Sequence, residues 1–148
     1  MDDVRQLQGQ RAGYAVEELA VGMTAAYRHT LTERDIHVFA DLTGDHNPLH
    51  LDEDFARQTR FKGRVAHGML SASFFSTVLA ILPGPGTVYL GQTLAFKAPV
   101  RIGDTVEARA TIIEILPDSA RVRLKTVCTV GETVVIDGEA TVIARRRG

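Results

Sequence analysis

Apolar residues recur in two rhythms along this chain, and the change of rhythm divides it. From residue 105 onward they alternate with polar ones. Val106, Ala108, Ala110 and Ile112 interleave with Glu107, Arg109 and Thr111; Val122, Leu124, Thr126 and Cys128 interleave with Arg121, Arg123, Lys125 and Val127. Val134, Ile136, Gly138, Ala140 and Val142 do the same with Asp137, Glu139 and Thr141. Period-two alternation with one charged side predicts antiparallel strands, packed on one face and wet on the other. The connections Leu116–Ser119 and Gly131–Thr133 are short enough for hairpins. Val88–Phe96 reads as a further strand and Pro99–Asp104 as the turn after it, so the expectation is a four-strand meander.

The first half follows a helical rhythm. Met23–Leu31 can form a first strand. Thr32 then offers an N-cap, with Asp35 three residues on as a weaker form of the capping box. Ile36, Phe39, Ala40 and Thr43 fall at helical spacing, so a helix is expected to about Leu42, stopping near Gly44. A short helical turn is expected from Asp52 to about Gln58, with Phe55 and Ala56 packing inward. Gly68–Leu82 is apolar on nearly every face, which predicts a helix enclosed on most sides, and Pro83-Gly84-Pro85-Gly86 ends it. Strand, helices, a long buried helix and then strands make an α+β layer in which a curved antiparallel sheet wraps one apolar helix.

Composition narrows the class. The 148 residues suit one domain, and neither a repeat nor a linker breaks them up, so residues 1–148 are read as a single domain whose polar first 12 residues are loosely ordered. Seventeen basic against 18 acidic residues leave no field to attract nucleic acid or an anionic membrane surface. Arg145–Arg147 read as a solvated tail. The start Met1-Asp2-Asp3 lacks a secretory pattern, and the most apolar segment is too short to span a bilayer, so the expected location is the cytoplasm. Cys128 stands alone in a strand pattern and reads as core packing.

The chemistry concentrates in residues 39–52, Phe-Ala-Asp-Leu-Thr-Gly-Asp-His-Asn-Pro-Leu-His-Leu-Asp. Gly44 frees the backbone after the helix, and Pro48 forces Asn47 out of helical geometry. Asp45 and His50 are thereby expected on a stiff, non-helical loop, where they could share one water or one substrate proton. Spacing leaves a second reading open, because Asp, Gly, Asn and Pro are also what any turn uses.

The run Leu-Thr-Gly-Asp-His-Asn-Pro-Leu-His closely resembles the hydratase 2 motif of the MaoC-like, (R)-specific enoyl-CoA hydratases of the hotdog fold. Val65-Ala66-His67-Gly68-Met69-Leu70 resembles that family's entry to its central helix. The stretch from Tyr89 to Val100, followed by Gly103-Asp104, resembles its next strand and turn. Together these cover about residues 24–142 and are most similar to the small members that feed (R)-3-hydroxyacyl units into polyester synthesis. The resemblance implies that Asp45 and His50 bind one water and add it across the 2,3 double bond of an enoyl thioester. Asp45 is favoured as the base, with His50 orienting water and transferring the proton.

Gly68 lies where a loop enters the central helix, so its N–H is an unpaired donor that a thioester carbonyl can approach. The family's matching glycine supports this oxyanion role over one of backbone shape alone. Ser76 matches a serine that contacts the site water in the family, although a serine in a buried helix often bonds its own backbone. Asn47 is expected to brace the Asp45 loop through backbone bonds, with substrate contact as the alternative, and His67 to cap or order the loop in preference to catalysis. His29, His37 and His46 read as surface or packing residues. No zinc spacing links the five histidines to the cysteine, so no metal and no retained cofactor are expected. Coenzyme A arrives as part of the substrate, with Lys62, Arg64, Lys97 and Arg101 as candidate phosphate ligands, and the acyl tail needs a channel lined from the central helix and Phe55–Phe61. The fold implies a homodimer paired edge to edge. A thioesterase and a non-catalytic acyl-thioester-binding module are the rivals; the absence of any Asp or Glu from Gly68–Leu82 argues against the first, and intact Asp45 and His50 oppose the second.

Overall fold

The computed structural model describes residues 13–148, so the expectation for the first 12 lies outside the described residues. After a 3-10 turn at Val16–Glu18 come β1 (Thr24–Thr30), α1 (Glu33–Thr43), α2 (Pro48–Leu51), α3 (Glu53–Arg57) and α4 (Gly68–Leu79). Four strands follow: β2 (Val88–Phe96), β3 (Thr105–Leu116), β4 (Arg121–Val130) and β5 (Thr133–Ile143). All pairings are antiparallel, and the five strands lie in the order β1-β3-β4-β5-β2. The sheet packs its alternating apolar face onto α4, the hotdog architecture that the sequence implies. Phe75, Val78 and Leu79 of α4 meet Val106, Ile112, Leu124, Ala140 and Val142 in one buried cluster. Cys128 belongs to it, and burial pushes its thiol up to about 12. Among the described residues no helix is long and apolar enough to cross a membrane.

Local chemistry sets α1 as expected. Thr32 Oγ1 accepts from Asp35 N at 3.1 Å while Asp35 Oδ2 accepts from Thr32 N at 2.9 Å, a reciprocal cap of a kind worth about 0.5–2 kcal/mol. Gly44 ends the helix with φ 83°, a left-handed conformation that glycine adopts without strain.

Four expectations need correction. The last four strands are not a meander, because β2 pairs with β5 at the far edge. The connection after β2 must therefore cross the ends of β5 and β4. It does so by packing on the loop before α4: Ala66 N donates to Val100 O at 2.7 Å, and Arg101 Nη2 donates to Phe61 O at 2.7 Å. The alternation in β5 also breaks, since the pairing shifts between Cys128 and Thr129. Val134 is exposed and Val135 is buried beside Ile136. Phe55 faces solvent, because the short α3 turns only Ala56 inward. Finally, α4 stops at Leu79, after which Ile81 and Leu82 N–H groups both fold back to Val78 O. The sheet covers one side and leaves a stripe at helical spacing, Met69, Ser73, Ser76 and Ala80, open in the single chain.

Candidate active site

Four elements converge beside the N-terminus of α4. Gly44 turns the chain out of α1, and Asp45 follows, its N–H donating to Thr43 Oγ1 at 3.2 Å. Asn47 then caps α2, its Oδ1 accepting from Leu49 N at 3.0 Å while its own N–H donates to Asp45 Oδ1 at 3.1 Å. Pro48 occupies the first turn, where its missing N–H costs nothing. His50 therefore stands on a short helical turn rather than on the non-helical loop expected, because Pro48 and the Asn47 cap start a new turn at once.

His50 is buried, and its Nδ1 lies 2.7 Å from Val65 O. A carbonyl only accepts, so Nδ1 carries the hydrogen and Nε2 of the neutral ring carries the lone pair. His67 is 2% exposed and its ring packs on that of His50, with centroids 4.0 Å apart. Its Nε2 donates to Asp45 O at 3.1 Å, which leaves Nδ1 buried without a partner among the described residues. Burial holds the His67 ring below the usual histidine value, and neighbouring His50 adds to the effect. One oxygen of Asp45 and one nitrogen each of His50 and His67 lie within 4.8 Å of one another. The fold thus adds His67, which lies 17 residues further on, to the Asp45 and His50 that one loop already brings close. These donor types suit a divalent cation, and equally a single water held between acceptors.

A cavity of about 390 Å³ opens next to His50, with Phe61, Gly68, Ser71, Phe96 and Ile136 in its wall. Arg60 and Lys97 add positive charge to that wall. Gly68 is the first residue of α4, and the His67 side chain makes no cap, so the helix offers unpaired N–H groups and the positive end of its dipole there. The Phe96 ring lies against this glycine, since a Cβ on Gly68 would sit 2.7 Å from its Cδ1 and Cε1.

Asp45, His50 and His67 come together, with Asn47 bonded to Asp45, whereas the cavity wall holds His50 and Gly68 and does not include Asp45. Ser76 does not line the cavity; it is exposed on the open stripe of α4. Ser71 lines it instead, buried and with its hydroxyl unpartnered, and its spacing of three residues from Gly68 was a signal available in the sequence. Two of the candidate phosphate ligands are engaged elsewhere. Arg64 bonds Glu33 and His50 O, and Arg101 bonds the carbonyls of Phe61 and Arg64. Lys97 does face the cavity, and Arg60, which sequence reasoning missed, joins it. His29, His37 and His46 pair with Asp35, Glu33 and Asp41, outside the cavity wall.

Known proteins resemble this chain in sequence and fold. Residues 17–138 match the family model of the MaoC like domain. The chain is 52% identical over 133 residues to the "(R)-specific enoyl-CoA hydratase" of Rhodospirillum rubrum, covering 89% of this chain and 92% of that protein. It is 50% identical over 127 residues to the "3-hydroxybutyryl-CoA dehydratase" of Methylorubrum extorquens, covering 85% and 81%. Among solved structures, the unliganded R-hydratase PhaJ1 of Pseudomonas aeruginosa superposes with a TM-score of 0.86 at 44% identity, covering 93% of this chain and 90% of that one. The (R)-hydratase of Aeromonas caviae gives 0.83 at 39% identity, covering 88% and 99%.

Proposed function

The chain belongs to the MaoC-like domain family, and on that premise we propose that it is an (R)-specific enoyl-CoA hydratase, adding water reversibly across the trans-2,3 double bond of an enoyl-CoA to give the (R)-3-hydroxyacyl-CoA. Dehydration of the 3-hydroxyacyl thioester is the same reaction reversed. The observation that carries the mechanism is the approach of Asp45 to His50, with the His50 tautomer set by Val65 O.

In this mechanism the lone pair on His50 Nε2 and the Asp45 carboxylate are two acceptors for one water. The water donates a hydrogen to each and presents an oxygen lone pair to C3. As the C3–O bond forms, Asp45 takes a proton and the double-bond electrons move toward the thioester oxygen, which meets the Gly68 N–H. That proton passes from Asp45 to His50 Nε2 and from there to C2 on the same face, which leaves both groups as they began. Hydroxyl at C3 and hydrogen at C2 account for the whole water, and neither a metal nor a retained cofactor takes part. Coenzyme A is the leaving half of no bond; it is only the handle, and Arg60 and Lys97 are the cations nearest the cavity for its phosphates.

A homodimer in the cytoplasm completes the reading. β2 is an edge strand with Val88, Tyr89, Leu90 and Phe96 exposed, and an unpaired apolar edge favours pairing with another. A second copy there supplies cover to Gly68, which lies against Phe96 of β2 and is exposed in the single chain.

The test is loss of the enoyl-thioester ultraviolet absorbance with crotonyl-CoA and octenoyl-CoA, followed by chiral analysis of the product. Wild type is expected to give (R)-product, and Asp45→Asn and His50→Ala each to lose at least about 100-fold in kcat, as general acid–base roles imply. Turnover that survives both substitutions refutes the site. Binding of both thioesters without turnover refutes the enzyme in favour of a binding module.

A further inference from the structure

The strip of chain from Arg64 to His67 touches both members of the pair. Val65 N donates to Leu49 O at 3.3 Å and Val65 O accepts from His50 Nδ1 at 2.7 Å, while His67 reaches Asp45 O at 3.1 Å. Arg64 adds the widest link. Its Nε donates to His50 O at 2.7 Å, and Nη1 and Nη2 donate to the two oxygens of Glu33 at 3.0 and 2.8 Å. Glu33 opens α1, the helix whose other end delivers Asp45. The strip is itself anchored: Arg64 N donates to Glu53 Oε2 at 3.3 Å, and Arg101 Nη1 donates to Arg64 O at 3.2 Å.

We propose that Arg64 is a positioning residue, which fixes His50 relative to Asp45 by tying the α2 turn to the first residue of α1. The inference rests on the reading of Asp45 and His50 as the catalytic pair. A guanidinium suits the task because its planar fork makes three directed bonds at once, whereas an ammonium cannot span the same partners. The Arg64 side chain is 15% exposed and Glu33 is 51% exposed. An ion pair this open contributes little to stability by itself, so its consequence is geometric. Hydrogen bonding from Arg64 is also the main cause that holds the Glu33 carboxyl below its usual range, so the carboxylate stays charged and available. His37 Nε2, 2.8 Å from Glu33 Oε1, steadies the same oxygen. Three of the five Arg64 N–H donors are committed in this way, and Arg64 is not among the residues of the cavity wall.

The test compares crotonyl-CoA kinetics of Arg64→Ala, Arg64→Lys, Glu33→Ala and the Glu33→Ala/Arg64→Ala double variant. Side-chain nitrogen NMR spectra report the His50 tautomer in each. Arg123→Ala, which breaks an ion-pair cluster with Glu114 and Glu139 on the sheet, is the control for general loss of charge pairing. Arg64→Ala is expected to lose kcat by up to about 100-fold through misplacement of His50, with KM within about threefold of wild type. Arg64→Lys is expected not to restore it. Glu33→Ala loses less, and adds nothing once Arg64 is gone, because the two act as one unit. The His50 ring leaves its single Nδ1–H tautomer in the Arg64 variants and keeps it in Arg123→Ala, whose kcat is unchanged.

A folded Arg64→Ala with kcat within about twofold of wild type, or with an unchanged His50 tautomer, overturns the inference. So does a raised KM with kcat retained, which would make Arg64 a substrate ligand. If Arg64→Ala does not fold, Glu33→Ala decides, and unchanged kcat with unchanged tautomer overturns it. Full activity in Asp45→Asn and His50→Ala is a different failure, that of the catalytic reading, and is seen whatever Arg64 does.

Discussion

Gly68→Ala separates the two reasons a glycine can stand at the head of α4. In the helix itself an alanine is favoured over glycine by about 1 kcal/mol. Against that, the new methyl would sit 2.7 Å from two ring atoms of Phe96, closer than a Cβ tolerates. Phe96 is 53% exposed on an edge strand, so its ring can swing aside, and the clash costs stability on the order of 1 kcal/mol. The two effects nearly cancel, and the expected change in melting temperature is small. Activity is expected to behave otherwise. The methyl projects into the space where the thioester oxygen must meet the Gly68 N–H, and loss of one such donor costs about 2.7–4 kcal/mol, or about 100- to 1,000-fold in kcat. The assay is a double-mutant cycle with Phe96→Ala, reading crotonyl-CoA kcat and urea stability for each variant. If Gly68 serves only to make room for the Phe96 ring, removing that ring restores activity to Gly68→Ala. If the glycine admits the substrate oxygen, it does not. Gly68→Ala with kcat within about fivefold of wild type, or full rescue by Phe96→Ala, refutes the oxyanion argument.

Two further outcomes follow from other parts of the fold. Leu90→Lys places a charge on the exposed β2 edge and is expected to shift sedimentation of the protein from dimer to monomer; a wild type already monomeric at micromolar concentration would refute the edge pairing. His67 has its folded value below the ordinary 6.5, so the unfolded chain takes up the proton first as pH falls. Its contribution is therefore complete above about pH 6.5 and is lost below it. His67→Phe should flatten the decline of the urea midpoint between about pH 7 and about pH 5, and an unchanged slope would show that His67 does not titrate in that window.

What could be read in advance was what local chemistry decides. The Thr32 cap, the stop at Gly44 and the alternation of β3 and β4 each depend on a few adjacent residues, and each is where the pattern put it. Strand order was not legible, because nothing in Lys97–Asp104 announces that it crosses two strand ends instead of closing a hairpin. The bulge opposite Cys128–Thr129 was hidden because Val134, Val135 and Ile136 are all apolar, and a run of three apolar residues does not say which one turns outward. Ser71 and Ser76 were confused for a related reason. Both are small residues on an apolar helix, and only the position of the sheet decides which one faces the cavity.

The least legible feature is also the one that makes a site of separate residues. Every hydrogen bond from the 64–67 strip to the pair uses a backbone carbonyl: Val65 O for His50 Nδ1, His50 O for Arg64 Nε and Asp45 O for His67 Nε2. Carbonyls are present at every residue, so such bonds leave no trace in residue types. They nonetheless divide the pair in a useful way. His50 is buried and held at both its ring and its backbone, whereas Asp45 is exposed, its carboxylate held among the described residues by the Asn47 N–H. A fixed tautomer demands the first arrangement, because a ring free to turn would offer a hydrogen where an acceptor is needed. Admission of water demands the second, because a carboxylate sealed in the core could neither receive a water nor stay charged without a partner. The asymmetry is thus what one would require of two groups that share a water but not a task.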